Sequence, residues 1–298
     1  MELYTPPEGA LIIRQTHKGT YDRCGAIANY LNHPGYIESP SEPLTFGSVF
    51  HYGCHQVVKG ASLLEVIDPS VLRAELVRIL VTEYALPSIP DVYDVVEGLS
   101  EQRVESFIEE MQVALSQWYK AYWKEKQSQI TVLIAEQTLF RPLGQTKEGR
   151  WIVLQGTPDA VYDIPKLVDW KTAARGWKFE KAQFTDQFPL YASLVEYNYG
   201  LLPLEAEFVV YNRQNGLIEV HETSREQIHV EVAVRNTFLR GLQLASGDPL
   251  PATPVVTEYF KEKRGWYCGP KYCPAWNCCE FKWLNDKVDE TVERKLSW

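Results

Sequence analysis

The hydrophobic rhythm of the chain changes once, near residue 129. Before that point apolar residues recur every three or four positions, the spacing of one helix face. Residues 20–33 read as a short helix ended by Pro34-Gly35. Residues 41–59 hold Leu44, Val49, Phe50 and Val57 at helical spacing, so His51 rides on a helix, and 69–86 repeat the pattern. The longest run is 100–127, where Val104, Phe107, Ile108, Met111, Leu115, Trp118 and Tyr122 share one face behind Ser100 as a possible cap.

From Gln129 the pattern alternates. ITVLIAEQTLFRPL reads as a strand, and WIVLQGTPDAVYD and KLVDWKTA as two more, separated by a turn at Asp163–Lys166 that contains Pro165. Residues 179–199 return to helix, with Gly200 as its C-terminal cap; Pro189 moves the start toward Asp186. AEFVVYNR and GLIEVHET form a hairpin through Gln214-Asn215-Gly216, and a helix over 224–245 follows. This order predicts an α/β core at 129–245 with a mixed central sheet flanked by helices. A helical N-terminal region precedes it, 60–128 form a helical insertion, and the whole of 1–298 makes a single domain.

Composition adds bounds rather than a direction. Apolar residues make up 45% and aromatic residues 12%, nine of them tryptophan, enough for a sizeable core. No apolar run approaches the roughly 20 residues that span a bilayer. The opening MELYTPPEGA lacks the basic and apolar regions of a secretory signal, so the expected location is cytoplasmic, away from membranes. A net charge of −9 argues against nucleic-acid binding by bulk electrostatics. An enzyme that holds a divalent cation among carboxylates can still be acidic overall and present a local basic groove.

The stretch 156–171 carries the most chemistry. Asp159 ends one expected strand and Asp169 the next, so a tight turn can bring the two carboxylates onto one cation. Hard oxygen ligands of that kind suit Mg²⁺ or Mn²⁺. Lys171 lies two residues beyond Asp169 and emerges on the same strand face. There it can orient a water or offset charge on a phosphoryl group. Arg175, Lys178 and Lys181 follow, either as a basic edge that tracks a nucleic-acid backbone or as a solvated helix face.

These residues stand in a recognisable order. Gly47-Ser48-Val49-Phe50-His51, then Glu136, Gly156-Thr157-Pro158-Asp159, Asp169-Trp170-Lys171-Thr172 and Gln187-x-x-x-Tyr191 together resemble the RecB-type branch of the PD-(D/E)XK nucleases. The resemblance implies a restriction-endonuclease-like core. It implies a metal held by His51, Asp159, Asp169 and the carbonyl of Trp170, with Lys171 positioning the hydrolytic water. Gln187 and Tyr191 would contact DNA or support the site, and Glu136 matches an acidic residue on the first core strand. His55 has no matching role.

Six cysteines complete the inventory: Cys24, Cys54, Cys268, Cys273, Cys278 and Cys279. Thiolates grouped over 264–280 point to zinc or an iron–sulfur cluster, with Cys24 as the candidate fourth ligand. Cys54 reads as a buried small hydrophobe. The nuclease resemblance includes a subset, among them AddB and CRISPR-associated exonucleases, that closes the domain with a [4Fe–4S] cluster on one N-terminal and three C-terminal cysteines. This implies Cys24, Cys268, Cys273 and Cys279, although the x4 spacing of Cys268 and Cys273 departs from the usual x2. Zn²⁺ remains the alternative, with either Cys278 or Cys279 as a ligand. The expected activity is a DNA exonuclease or end-processing nuclease acting on single-stranded or duplex ends. Phage recombination, repair and CRISPR spacer processing all suit it, alone or with a recombination or integration partner. A catalytically inactive DNA-binding scaffold is the alternative. No G-x-x-x-x-G-K-[ST] motor motif is present.

Overall fold

The computed structural model describes residues 3–15, 27, 42–83, 101–177 and 179–246. The expected helix over 20–33, Ser100, Lys178, and Cys24, Cys268, Cys273, Cys278 and Cys279 lie outside the described residues.

The first half of the described chain is a helical layer: α1 (Glu42–Val58), α2 (Leu63–Val66), α3 (Pro69–Glu83) and α4 (Glu101–Trp118). The apolar stripe of α4 is buried as its spacing predicts. The helix does not run on to residue 127 as α-helix; Tyr119–Trp123 widen into a π-helical turn before a last turn at Lys124–Lys126. The i→i+5 spacing of that turn aligns Trp118 with Trp123, whose rings stack at 5.8 Å, and leaves Tyr122 facing the sheet.

The expected strands divide further. ITVLIAEQTLFRPL is two strands, β2 (Val132–Ala135) and β3 (Leu139–Gln145), and WIVLQGTPDAVYD is also two, β4 (Trp151–Gly156) and β5 (Ala160–Tyr162). Each pair breaks because the chain crosses from one sheet to another: β1 (Leu11–Arg14), β4 and β3 form a three-stranded sheet in that order. The other sheet runs β2, β5, β6 (Lys166–Ala173), β7 (Glu205–Asn212), β8 (Leu217–Ser224), with β6 parallel to β7 and antiparallel neighbours elsewhere. β1 was not expected from the sequence pattern. After β6 come α5 (Phe179–Gln183) and α6 (Gln187–Tyr199), and α7 (Gln227–Ala245) follows β8. The single helix expected over 179–199 is interrupted between Gln183 and Gln187, and α6 starts where Pro189 allows, ending at Gly200 in the left-handed region (φ 68°). The architecture is a mixed α/β core flanked by helices, as the sequence predicts.

The alternation of β6 decides what faces what. Val168 and Trp170 pack into the helical layer, where Trp118 meets Trp170 edge-on at 5.7 Å; Leu167 packs with α6 on the opposite face. Both faces are covered, as a parallel pair requires. Asp169 and Lys171, on the α6 side of the alternation, are therefore delivered to the face that carries Gln187 and Tyr191. A buried polar knot fixes the far end of this sheet. Tyr122 Oη donates to Glu207 Oε2 at 2.7 Å and lies 2.8 Å from Tyr162 Oη, while Lys126 and Lys166 reach Glu207 Oε1 at 2.8 and 3.0 Å. Among the described residues no helix is long and apolar enough to cross a membrane.

Candidate active site

Asp159 immediately precedes β5, whose antiparallel register with β6 pairs Ala160 with Val168. One step further along that register sets Asp159 opposite Asp169, and the backbone N–H of Trp170 donates to Asp159 Oδ2. The tight β5–β6 hairpin thus brings the two carboxylates together. Asp169 Oδ2 stands 2.6 Å from Lys171 Nζ as an ion pair, although it makes no well-angled hydrogen bond; its Oδ1 accepts from Gln187 Nε2 at 2.8 Å. Gln187 Nε2 also reaches Tyr191 Oη at 3.2 Å, one helical turn on. Gly156 makes this closeness possible. A Cβ there would meet Leu194 at 2.7 Å and Tyr191 at 2.9 Å. Gly47 has no such role, since a Cβ there would find only ordinary contact with Thr172.

His51 projects from α1 to the same place. Its Nδ1 lies 3.2 Å from Asp159 Oδ1 and 3.6 Å from Glu136 Oε1. Glu136 does not sit within a strand. It occupies the crossing from β2 to β3 with φ 48°, a left-handed conformation that side chains rarely adopt, and its N–H donates to the Asp159 carbonyl at 3.0 Å. The ligand atoms of His51, Glu136 and Asp159 all lie within 4.8 Å of one another, the span of one metal coordination sphere. Glu136 Oε1 is buried without a hydrogen bond, as an oxygen reserved for a cation would be.

The electrostatics agree with that donor set. Burial opposes charge on His51, but the Asp159 carboxylate and then Glu136 outweigh it and push the imidazole up to about 10. Burial raises Asp169 to about 6, with Lys171 pulling against it. Burial likewise raises Glu136 against the pull of His51. Asp159 goes the other way: desolvation is overcome by His51, and its carboxyl is held low. Lys171 is held high, its burial outweighed by Asp169 and Asp159. Three carboxylates crowded in a desolvated corner, with the His51 imidazole and the Lys171 ammonium as the cationic groups in contact with them, fit a divalent cation.

His51, Glu136, Asp159, Lys171, Gln187 and Tyr191 line a cavity of about 350 Å³, whose wall also contains Arg14, Gln15, Gln155 and Thr157. Of these four only Thr157 was named from the sequence, within the Gly156–Asp159 run. Leu11-Ile12-Ile13 is a β-prone run that could have signalled β1, but nothing local tells that it lies against β4. Of the expected basic edge, Arg175 is exposed in the loop after β6, and Lys181 stands over the Trp177 ring at 4.1 Å. Burial and then the charge of Lys171 lower the Lys181 pKa. Trp177 is anchored in turn, its N–H donating to Glu219 Oε2 at 3.0 Å. His55 is half-buried with its Nδ1 unpartnered, and Cys54 is a buried free thiol.

The sequence model of the PD-(D/E)XK nuclease superfamily matches residues 15–280, most of the chain. The chain belongs to that superfamily. Membership in the PD-(D/E)XK nucleases makes it a metal-dependent nuclease in general kind, with nucleic acid as its partner, and accounts for the mixed α/β core. No curated protein matches it. Among solved structures, the crystal structure of SSO0001 is similar over 72% of this chain and 81% of that one, at 11% identity and a TM-score of 0.25, too slight a likeness to carry an argument.

Proposed function

We propose that this PD-(D/E)XK protein is a Mg²⁺- or Mn²⁺-dependent deoxyribonuclease that hydrolyses phosphodiester bonds at DNA ends. The observation that carries the reading is the convergence of His51, Glu136, Asp159 and Lys171 on one cavity, with Asp169 paired to Lys171 behind its wall. His51, Glu136 and Asp159 would hold the cation, with Asp169 and the Trp170 carbonyl beside them. Bound there, a divalent ion supplies Lewis acidity to the scissile phosphate and acidity to a water. Lys171 is favoured as an ammonium, so its part is to orient the attacking water and offset charge on the phosphoryl oxygens. Asp169 fixes the direction of that ammonium, and Gln187 fixes Asp169. Burial and then the Asp169 charge keep Tyr191 a neutral hydroxyl, suited to hydrogen-bonding Gln187 or substrate. Arg175, Lys178 and Lys181 would flank the emerging strand.

The same reading gives the cysteines a structural [4Fe–4S] cluster on Cys24, Cys268, Cys273 and Cys279, and places the enzyme in DNA recombination, repair or CRISPR spacer processing in the cytoplasm. The grouping of the C-terminal cysteines, with Cys24 upstream as a fourth thiolate, supports the cluster. Visible absorption with iron and sulfide analysis tests the cluster; a colourless protein that contains zinc overturns it.

End-labelled single- and double-stranded DNA, incubated with Mg²⁺ or Mn²⁺ and either the wild type or Lys171→Ala, tests the activity. The expected result is metal-dependent degradation by the wild type alone. Equal degradation by both, or none by either, overturns the assignment.

A further inference from the structure

Part of the site cavity is lined by residues to which the catalytic reading gives no work. Arg14 ends β1, which pairs parallel to β4 with Arg14 beside Gln155, and Gln15 is the next residue. They therefore stand next to the Gly156–Thr157 run that leads into Asp159. Gln15 is 8% exposed, and its Oε1 is buried without a hydrogen-bond partner. Arg14 is exposed to solvent and has no carboxylate partner among the described residues, so its guanidinium is available to a ligand, whereas Lys171 in the same cavity is tied to Asp169. A buried acceptor without a donor disfavours folding, and a leucine would serve the packing of that position better. A guanidinium beside it seeks an anion with fork geometry, which a phosphate supplies.

One chemical unit meets both groups. A nucleotide presents a phosphate and, on every base, N–H donors at its Watson–Crick edge. In a duplex those donors are occupied by the opposite strand. A cavity of about 350 Å³ is at the small end of ligand sites, the size class of a single nucleotide. We infer that Arg14 and Gln15 form a subsite for one unpaired nucleotide of the strand being cut, Arg14 holding a phosphate and Gln15 accepting a hydrogen bond from the base. The subsite rests on the nuclease reading and narrows its substrate to an unpaired end or a single strand.

Gln15→Leu and Arg14→Ala test it in the full chain. Thermal unfolding, steady-state cleavage of a single-stranded oligonucleotide with Mg²⁺ or Mn²⁺, and the same cleavage with an abasic residue walked along the oligonucleotide are the readouts. Gln15→Leu is expected to unfold no earlier than wild type, yet to lose about tenfold in kcat/KM, mostly through KM, which corresponds to about 1.4 kcal/mol. That loss is expected to vanish when the abasic residue occupies the subsite, which a packing role would not produce. Arg14→Ala is expected to weaken binding on every sequence and to lower the slope of log affinity against log salt by about one. An active wild type with both variants unchanged overturns the subsite and leaves the nuclease assignment standing. A Gln15→Leu loss that persists at every abasic position also overturns it. If Gln15→Leu fails to fold, Arg14→Ala decides: an unchanged salt slope overturns the subsite. A wild type that neither binds nor cuts nucleic acid sinks both readings together.

Discussion

At the scale of single residues, the proposed function separates groups that would hold a cation from groups that would work on the phosphate. Lys171→Ala should leave the fold intact and lower kcat by about 10²–10³, the usual loss for one transition-state donor. Glu136→Gln should act on the other quantity: the Mg²⁺ or Mn²⁺ needed for half-maximal rate should rise about 10–100-fold while the rate at saturation changes less. Metal titrations of both variants separate the two effects. pH reads the same site without metal. His51 is raised to about 10 and Asp169 to about 6, and a raised folded pKa contributes stability that is present at low pH and lost as pH climbs through it. Thermal midpoints of the chelated protein should therefore decline as pH rises from about 4 to 6 and again from about 6.5 to 10. His51→Gln should remove the second decline. Asp159, Asp169 and Lys171 were legible in the sequence because a short hairpin and a two-residue alternation dictate their proximity. Glu136 was legible as a matching acid but not in its strained backbone, which only the crossing between sheets demands. Arg14 and Gln15 were not legible, because their neighbour in space is 141 positions away in sequence, residue 14 against residue 155.

At the scale of elements, two close contacts carry the geometry. Gly156→Ala would drive a methyl group into Leu194 and Tyr191, and should destabilise by about 1–3 kcal/mol while moving Tyr191 away from Gln187. Urea unfolding and the rate at saturating metal would both register it. Tyr122→Phe should remove about 1–3 kcal/mol, because Glu207 Oε2 loses its buried donor. The Tyr122 hydroxyl reaches that carboxylate from the π-helical turn, which the sequence pattern hides. Heptad-like spacing predicts helix through residue 127 and is blind to a widened turn, just as alternation alone cannot show where a strand changes sheets. Long runs such as α4 and the β7–β8 hairpin were readable because length and turn chemistry specify them locally.

At the scale of the molecule, the net charge of −9 does not conflict with a nucleic-acid partner, because the local field of a groove and not the total charge meets the backbone. The seam between the two sheets has a mechanical meaning as well. The chain passes directly from one sheet to the other at residues 136–138 and again at 157–159, and these two crossings are bound side by side by Glu136 N–H to the Asp159 carbonyl and by Thr138 Oγ1 3.0 Å from Thr157 Oγ1. Glu136 and Asp159 therefore act as the two jaws of a rivet hole, whose width changes whenever one sheet slides against the other. A cation seated between them would stiffen the joint and add to stability according to its occupancy. Added Mn²⁺ should therefore slow amide exchange along β2, β3, β4 and β5 together, in both sheets, rather than at the ligands alone.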